Sequence, residues 1–196
     1  MIILGYLIGA IPFGVIVGRL TRGIDVRDYG SGSMGMANVL RTLGAGAGVL
    51  VFLADVAKGA AAVALAWLIL GPGYGLVAGG VAAVIGHSWP VYVGFRGGRG
   101  VTTGFGALLM IAWPVGLICF AIFLIVVALS RYVSLGSMLA GLSMFVVMIP
   151  FVLLNLEPFA YLVYGLIVVP IVIFRHRGNI QRLLSGTESK LGWGKR

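Results

Sequence analysis

The chain has 196 residues, of which 60% are hydrophobic and 10% charged, and a net charge of +9 at pH 7. Soluble domains contain about 25% charged residues, so a chain this apolar requires a lipid bilayer as its solvent. This composition excludes a soluble enzyme, a disordered tail and a fibrous repeat. The length suits one compact domain over residues 1–196, and a single cysteine excludes a disulfide framework or a thiolate metal cluster.

Apolar runs of membrane-spanning length follow one another along the chain. A helix needs about 20 apolar residues to cross the hydrocarbon core, and the first run, residues 1–20, has its one charge, Arg19, near its end. No basic region precedes this run, so we expect an uncleaved span and not a signal peptide. The later runs are residues 44–70, 74–93, 101–129, 132–154 and 159–174, and a basic tail occupies residues 175–196.

The run at residues 101–129 decides the predicted topology. A helix of this length measures about 43 Å, which is long for one crossing and short for two. If it forms a hairpin broken near Pro114, every Lys and Arg except Lys58 lies on one face of the membrane, as the positive-inside rule favours. We therefore predict an all-α integral membrane protein of seven helices, the fourth and fifth short, with the N-terminus outside and the C-terminus in the cytoplasm.

The basic residues lie between the apolar runs and form no continuous stripe. This placement favours a membrane surface, or an anionic ligand held at it, and not a nucleic acid. Three polar segments on the predicted cytoplasmic face are too rich in glycine to be plain connectors.

The first polar segment is residues 21–43. Its glycines let backbone N–H groups turn toward an anion, and Ser33 is suited to cap a helix beginning near Met34. Asn38 and Arg41 would then share one helix face. The alternative is a flexible loop with a capped amphipathic helix on the membrane surface.

The second polar segment is residues 86–103. Three glycines, with Arg96 and Arg99, precede a helix, where N–H groups and the helix dipole favour negative charge. The spacing is not that of a Walker A motif. The alternatives are positive-inside charge on a tight turn and, for His87, a purely structural histidine.

The third polar segment is residues 175–188. Apolar residues at i, i+3 and i+4 predict a helix with an apolar face, while His176 and Asn179 lie together on another face and Gly186 is a plausible C-cap. The alternative is a basic amphipathic helix on anionic lipid.

The remaining chemistry is electrostatic. Asp55 and Lys58, three apart within a span, should pair, and we interpret the pair as helix-packing contacts more than a proton path. Cys119 has no basic neighbour that would make it a nucleophile. The sequence contains no carboxylate pair, no clustered metal ligands and no serine-histidine-aspartate spacing. A ligand with one or two phosphates would suit the groups of the three polar segments, which are glycine N–H groups, hydroxyls, amides and arginines.

The ordered set of segments resembles the PlsY family, the bacterial membrane glycerol-3-phosphate acyltransferases that use acyl phosphate as donor. That family carries Gly-Ser-Gly-Asn-x-Gly-Ala-Thr-Asn-x-x-Arg, then Gly-His-x-x-Pro with Phe-Lys-Gly-Gly-Lys-Gly-Val-Ala-Thr, then His-x-x-Asn-Ile-x-Arg-Leu and a later Glu. Asp55-Val56-Ala57-Lys58-Gly59 also matches its Asp-x-x-Lys-Gly. Each motif alone is weak, but the ordered set is highly specific.

The resemblance implies transfer of a fatty acyl group from acyl phosphate to the 1-hydroxyl of sn-glycerol 3-phosphate, giving lysophosphatidic acid and inorganic phosphate, with no cofactor and no metal. It implies a multi-pass protein of the bacterial cytoplasmic membrane with its active site facing the cytoplasm, coupled in function to an acyl-phosphate-producing enzyme. By position, the catalytic set would be Ser31, Arg41, His87, Arg99, His176 and Asn179. The substrate- and phosphate-binding set would be Gly30, Gly32, Ser33, Asn38, Gly97, Gly98, Gly100, Thr102 and Glu188.

Four positions depart from the family pattern. Ser33 stands for the usual asparagine, Ala37 for threonine, and Arg96 and Arg99 for lysines. Arginine keeps the charge and adds bidentate geometry, whereas Ala37 lacks a hydroxyl that can bind phosphate. These changes affect the assignment of glycerol 3-phosphate and acyl phosphate as substrates more than the inference of a helical membrane fold. They are compatible with a divergent paralogue.

Two other function classes remain open from the residues alone. Glycine-rich spans, broken helices and an intramembrane ion pair are compatible with a small organic-anion transporter or channel, although the polar groups cluster on one face and no two-fold repeat is visible. A non-catalytic membrane scaffold would not need three matched polar segments. For the enzyme, the proton acceptor is His176, His87 or a substrate phosphate.

Overall fold

The computed structural model describes residues 1–192, and this part of the chain folds into helices without β-strands. Two short 3₁₀ turns, Val26–Asp28 and Val91–Val93, lie in the polar loops. The final residues of the predicted basic tail, 193–196, lie outside the described part. The α-helices are α1 Ile2–Ala10, α2 Phe13–Arg22, α3 Met36–Leu43, α4 Ala45–Leu70, α5 Tyr74–Ser88, α6 Val101–Ile111, α7 Trp113–Ser130, α8 Val133–Leu153, α9 Ala160–Arg175 and α10 Arg177–Leu184.

The prediction of an all-α protein with membrane-spanning helices is confirmed for the described residues, whereas seven helices and the orientation of the termini stay predictions. Five helical segments are long and apolar enough to cross a bilayer, namely α1 with α2, α4, α5 with the turn after it, α7 and α8. The pair α9 and α10 passes the same test as one span bent by 56°. The helix α6 is apolar but has only 11 residues.

The apolar run at residues 101–129 is divided as expected, but not into two short helices. The break lies at Ala112, and Pro114 occupies the first turn of α7. Proline is tolerated in a first helical turn, where its missing N–H needs no partner. The helix α7 therefore begins directly after the break and reaches 18 residues, so only the fourth predicted helix is short.

The first apolar run contains a break that the sequence analysis did not predict. The helices α1 and α2 are separated by Ile11 and Pro12, because proline removes a backbone donor and crowds the preceding turn. The carbonyl of Ile11 instead accepts a hydrogen bond from the ammonium of Lys58, at 2.8 Å. The break thus supplies a polar group to the buried interior.

Glycines at the helix crossings set how closely the helices pack. A Cβ at Gly9 or Gly86 would overlap the facing backbone between α1 and α5, and a Cβ at Gly59 or Gly106 would do so between α4 and α6. In a bilayer, such small residues permit the close approach that stabilises helix pairs. Since the loop before α6 runs between helices of these two pairs, the crossings also place the second polar segment.

The crossings give the first testable prediction. Gly106→Ala places a methyl group against the Val56 carbonyl and should destabilise the fold by about 1–3 kcal/mol, as overpacking does elsewhere. The midpoint of thermal unfolding in detergent measures this effect. Gly141→Ala on α8 is the matched control, because its Cβ meets nothing within 4 Å. Equal midpoints for the two variants would contradict the packing account.

Candidate active site

The three polar segments converge on one pocket of about 280 Å³, which we call the polar pocket. It is bounded by the loop before α3, the loop between α5 and α6, and the first turns of α10 with the end of α9. Within residues 1–192, four arginines and no carboxylate line it. The lining residues are Ser31, Gly32, Ser33, Gly97, Gly98, Arg99, Arg175, Arg177, Gly178, Asn179, Gln181 and Arg182.

Asn38 organises the first loop from inside. Its side chain is buried, and its Nδ2 donates to the carbonyls of Val26 and Ser33, both at 2.8 Å. Its Oδ1 accepts from the backbone N–H of Ser31 at 2.8 Å. These bonds, with further ones to Tyr29 and the Ser31 hydroxyl, use the amide fully. Asn38 therefore shapes the loop that presents Ser31, and it has no capacity left for a ligand.

The start of α3 differs from the sequence prediction. The helix begins at Met36, two residues after the expected start. The Ser33 hydroxyl accepts from the backbone N–H of Gly35 at 3.2 Å and does not cap the helix, since the loop is already fixed by Asn38. Gly30 and Gly32 have positive φ angles of 58° and 68°, and a Cβ at Gly30 would overlap the Asn38 amide. Both glycines serve the loop conformation.

Arg41 does not share the environment of Asn38. It is exposed on α3, and its guanidinium lies 3.5 Å from the carbonyl of Ser189 in the C-terminal segment. Arg41 therefore lines neither the polar pocket nor the apolar cavity described below, although its charge acts on Arg99.

Arg175 clamps the glycine turn of the second segment. Its Nε donates to the carbonyl of Gly98 at 3.0 Å and its Nη2 to that of Gly97 at 2.9 Å, while its guanidinium stacks 5.3 Å from the Trp89 ring centroid. The Gly98 N–H donates to the His87 carbonyl at 3.0 Å. The N–H of Gly98 therefore already has a partner within the protein, and the assignment of Gly98 to the phosphate-binding set stays a prediction.

Arg99 is an arginine of the polar pocket whose surroundings disfavour its charge. Burial lowers the pKa of Arg99 to about 10; Glu188 opposes this shift, whereas Arg182, Arg41 and Arg175 reinforce it. Arg99 is still protonated at neutral pH. Among the described residues these guanidinium ions outnumber the carboxylate beside them, so they create a positive potential that a bound anion relieves. Arg96, by contrast, is exposed and does not line the pocket.

Glu188 orients the third segment from behind the pocket. Its Oε1 accepts from the Asn179 Nδ2 and the Ser134 hydroxyl, and its Oε2 accepts from the Arg182 Nε, each at 2.7 Å. Burial alone would raise the pKa of Glu188, but these hydrogen bonds bring the pKa below its ordinary value. The carboxylate is therefore ionised at neutral pH and supports Asn179 without lining the pocket itself.

His176 lies at the junction of α9 and α10, almost fully buried. Its Nδ1 is 2.8 Å from the carbonyl of Val172. A carbonyl can only accept, so Nδ1 carries the hydrogen and Nε2 keeps a lone pair when the ring is neutral. As predicted, His176 and Asn179 lie close together, and Gly186 with a φ of 71° follows the end of α10.

A second cavity of about 140 Å³, the apolar cavity, adjoins the polar pocket. The two share Ser33 and Arg99, and Gly100, Thr102, His87 and His176 line the apolar cavity at the same end. Its far walls are side chains of α6 to α9, including Phe105 and Phe120, whose rings stack with centroids 4.9 Å apart. The polar pocket thus leads directly into the apolar cavity.

Three residues of the site were not singled out from the sequence. Arg175 and Arg182 flank the predicted pair His176 and Asn179, and only the folded chain reveals their partners. Ser134, which binds Glu188, stands in an apolar run with no motif around it. Arg175 and Arg182 belong to the same basic segment as the predicted residues His176 and Asn179, and this is the sequence feature that could have identified them.

The charge pattern predicts anion binding that a thermal shift can measure. Inorganic phosphate should raise the unfolding midpoint of the purified protein, because a ligand at 100 times its Kd stabilises a fold by about 2.7 kcal/mol. Arg99→Ala should lose most of this rise. Arg19→Ala, which removes an exposed arginine outside both cavities, should keep it. An equal phosphate-dependent rise in both variants would contradict the assignment of Arg99 to an anion site.

Sequence comparison identifies relatives over almost the whole chain. Residues 1–186 match the family model described as glycerol-3-phosphate acyltransferase. A glycerol-3-phosphate acyltransferase of Parasynechococcus marenigrum (strain WH8102) is 46% identical over 192 residues, covering 98% of this chain and 89% of the relative. One from Bacillus velezensis (strain DSM 23117 / BGSC 10A6 / LMG 26770 / FZB42) is 44% identical over 193 residues, covering 98% and 97%.

Structure comparison gives the same result. A crystal structure of PlsY (YgiH), an integral membrane glycerol 3-phosphate acyltransferase in its glycerol 3-phosphate form, matches with a TM-score of 0.90 and 38% identity, covering 97% of this chain and 94% of that one. The lysophosphatidic acid form matches with a TM-score of 0.87 at 38% identity, covering 97% and 93%. The chain therefore belongs to the glycerol-3-phosphate acyltransferase family, and within it to the PlsY type.

Proposed function

We propose that this acyltransferase moves a fatty acyl group from acyl phosphate to the 1-hydroxyl of sn-glycerol 3-phosphate, releasing lysophosphatidic acid and inorganic phosphate. The observation that carries the proposal is the junction of the polar pocket with the apolar cavity at Ser33 and Arg99. Such a junction suits a reaction between an anionic head group and the activated end of an acyl chain. It also favours this enzyme over the alternative of an organic-anion transporter, whose polar sites would lie near the midplane.

Charge neutralisation is the main catalytic task. Two phosphate dianions repel each other strongly in a partly dry site, and the arginines lower that repulsion while holding the substrates at attack distance. Arg99 and Arg41 would bind the phosphates, and Arg175 would keep the glycine turn rigid. The Ser31 hydroxyl, which donates to the Asn38 Oδ1 at 3.3 Å, would turn from Asn38 to donate a directional hydrogen bond to a phosphate. The charge on Arg99, whose pKa is lowered to about 10, persists throughout the physiological pH range.

Asn179 would bind the acceptor substrate. Because its Nδ2 donates to Glu188, its Oδ1 remains as a hydrogen-bond acceptor at the pocket wall. A phosphate oxygen cannot donate to it, whereas a glycerol hydroxyl can. Asn179 thus suits orientation of the glycerol 3-phosphate hydroxyls, and Glu188 sets which end of the amide faces them.

The acyl transfer needs no covalent enzyme intermediate, because acyl phosphate is already a mixed anhydride. The glycerol hydroxyl oxygen forms the new ester bond to the carbonyl carbon, and the bond from that carbon to the phosphate oxygen breaks. The hydroxyl proton passes to the departing phosphate or to the Nε2 lone pair of His176. No carboxylate lines the polar pocket in the described part of the chain, which favours the phosphate as acceptor.

The membrane placement follows from the same geometry. We place the three polar segments on the cytoplasmic face of a seven-segment bacterial inner-membrane protein, since the positive-inside rule puts their arginines there. Acyl phosphate made by a partner enzyme would enter the apolar cavity from the bilayer, and glycerol 3-phosphate would enter the polar pocket from the cytoplasm.

Substitution of Arg99 tests the phosphate role. Arg99→Ala should lower kcat/KM by about 100- to 1,000-fold, the loss typical of a missing charge-stabilising donor, whereas Arg99→Lys should stay within about tenfold of wild type because an ammonium keeps the charge. Glycerol-3-phosphate-dependent phosphate release from palmitoyl phosphate measures both. Arg19→Ala is the control. Near-normal turnover by Arg99→Ala would remove this residue from the site.

Donor choice is a separate experiment. Purified protein supplied with palmitoyl phosphate, palmitoyl-CoA or palmitoyl acyl carrier protein should form lysophosphatidic acid only with palmitoyl phosphate. The described part of the chain has one anion pocket at the end of the apolar cavity, suited to a small phosphate leaving group. Equal product from a thioester donor would overturn the proposed donor and leave the acyltransferase assignment intact.

A further inference from the structure

A buried cluster of three ionisable side chains lies directly beneath the glycine turn. Asp55 and Lys58 come from α4 and His87 from α5, and their exposed fractions are 1%, 4% and 2%. The predicted pairing is confirmed, since the Lys58 Nζ is 2.7 Å from the Asp55 Oδ1. The same Nζ is 2.9 Å from the His87 Nδ1 and 2.8 Å from the Ile11 carbonyl. The proposed reaction assigns no role to the Asp55–Lys58 pair.

The contacts of Lys58 determine which nitrogen of His87 carries hydrogen. An ammonium ion has three N–H bonds and no lone pair, and here it meets three groups, a carboxylate, a carbonyl and the His87 Nδ1. Because the ammonium can only donate, Nδ1 must accept. The neutral imidazole then carries its hydrogen on Nε2. The separation of 3.6 Å between Nδ1 and the Asp55 Oδ1 is too long for a competing hydrogen bond.

The Nε2 of His87 faces the site. It lies against Gly98, where a Cβ would overlap it, and His87 lines the apolar cavity together with Arg99 and His176. Within residues 1–192, the His87 ring has its hydrogen-bond partner, Lys58, at Nδ1, and Nε2 has no protein acceptor. An N–H group that opens on this cavity beside Arg99, without a protein acceptor of its own, is suited to an anionic oxygen of a bound ligand.

We propose that His87 is a hydrogen-bond donor to a phosphoryl oxygen held at the glycine turn, and that Lys58, anchored by Asp55, is the positioning residue that imposes this tautomer. The inference rests on the proposed function only for the identity of the anion. It removes His87 from the candidate bases. The two rings then have opposite hydrogen-bonding roles at Nε2, a donor in His87 and an acceptor in His176, because His176 donates from Nδ1 to Val172.

Nitrogen NMR reads the tautomers without any enzymatic assay. The chain has two histidines, so protein labelled with ¹⁵N-histidine gives two imidazole signal sets, and His176→Gln assigns them. At a pH where both rings are neutral, His87 should be protonated at Nε2 and His176 at Nδ1. A His87 ring protonated at Nδ1, or one exchanging between tautomers, would overturn the proposal.

A paired substitution tests the positioning role of Lys58. Asp55→Asn with Lys58→Met removes both charges together, so that neither is left buried alone. In this variant His87 should lose its fixed tautomer, and kcat should fall by about tenfold or more with little change in KM. If the ring keeps the Nε2 hydrogen in the folded variant, Lys58 does not impose it. If the double variant does not fold, the wild-type nitrogen NMR spectrum still tests the tautomer of His87, and His87→Gln and His87→Leu still test its donor role.

Two His87 variants separate a donor from a base. His87→Gln retains an N–H donor and should keep turnover within about tenfold of wild type, whereas His87→Leu should lose about 100-fold or more. Equal losses in both variants, or near-normal turnover in both, would contradict a donor role. Titration with inorganic phosphate should also shift the His87 Nε2–H signal of the wild type. That shift is independent of the acyl donor, so its absence counts against this proposal alone.

Discussion

The structure depends on one electrostatic constraint: among the described residues, the guanidinium ions at the polar pocket outnumber the carboxylates that can offset their charge. Arg99, Arg175 and Arg182 line the same pocket, and the single nearby carboxylate, Glu188, is engaged by Asn179, Ser134 and Arg182 behind it. Repulsion within this group destabilises the empty site, and bound phosphates relieve it. The fold must therefore supply enough helix-packing energy to hold the arginines in place before any substrate arrives.

Close helix crossings supply that energy and connect the bilayer interior to the site. The glycine contacts between α4 and α6 fix where the second polar segment emerges. Inside the same region, the Asp55–Lys58 pair is electrically neutral overall, so it adds polarity to the core without adding net charge. At the proline break after α1, the carbonyl of Ile11 accepts from the Phe13 N–H and also from the Lys58 ammonium. The second bond links a kink in the first span to the histidine beneath the glycine turn.

Much of the architecture was predictable because the bilayer limits the possible structures. Spanning length, the break near Pro114 and the i,i+3 pairing of Asp55 with Lys58 follow from local sequence alone. The inward turn of Asn38 and the clamp formed by Arg175 were not predictable, since both depend on carbonyl groups brought close by the tertiary fold. The sequence predicts too short an α7, because Pro114 suggests an interrupted helix, whereas it lies in the first turn of α7.

The convergence of the three polar segments on one membrane face is the central claim, and cysteine accessibility tests it most directly. In a Cys119→Ser background, single cysteines would replace the exposed residues Arg22, Arg96 and Ser185, one in each segment, with Asn155 as a site on the opposite face. A membrane-impermeant maleimide applied to inside-out vesicles should label the first three and leave the fourth unlabelled. Labelling of any one of the three only from the periplasmic side would contradict the account, because the shared pocket could not then form.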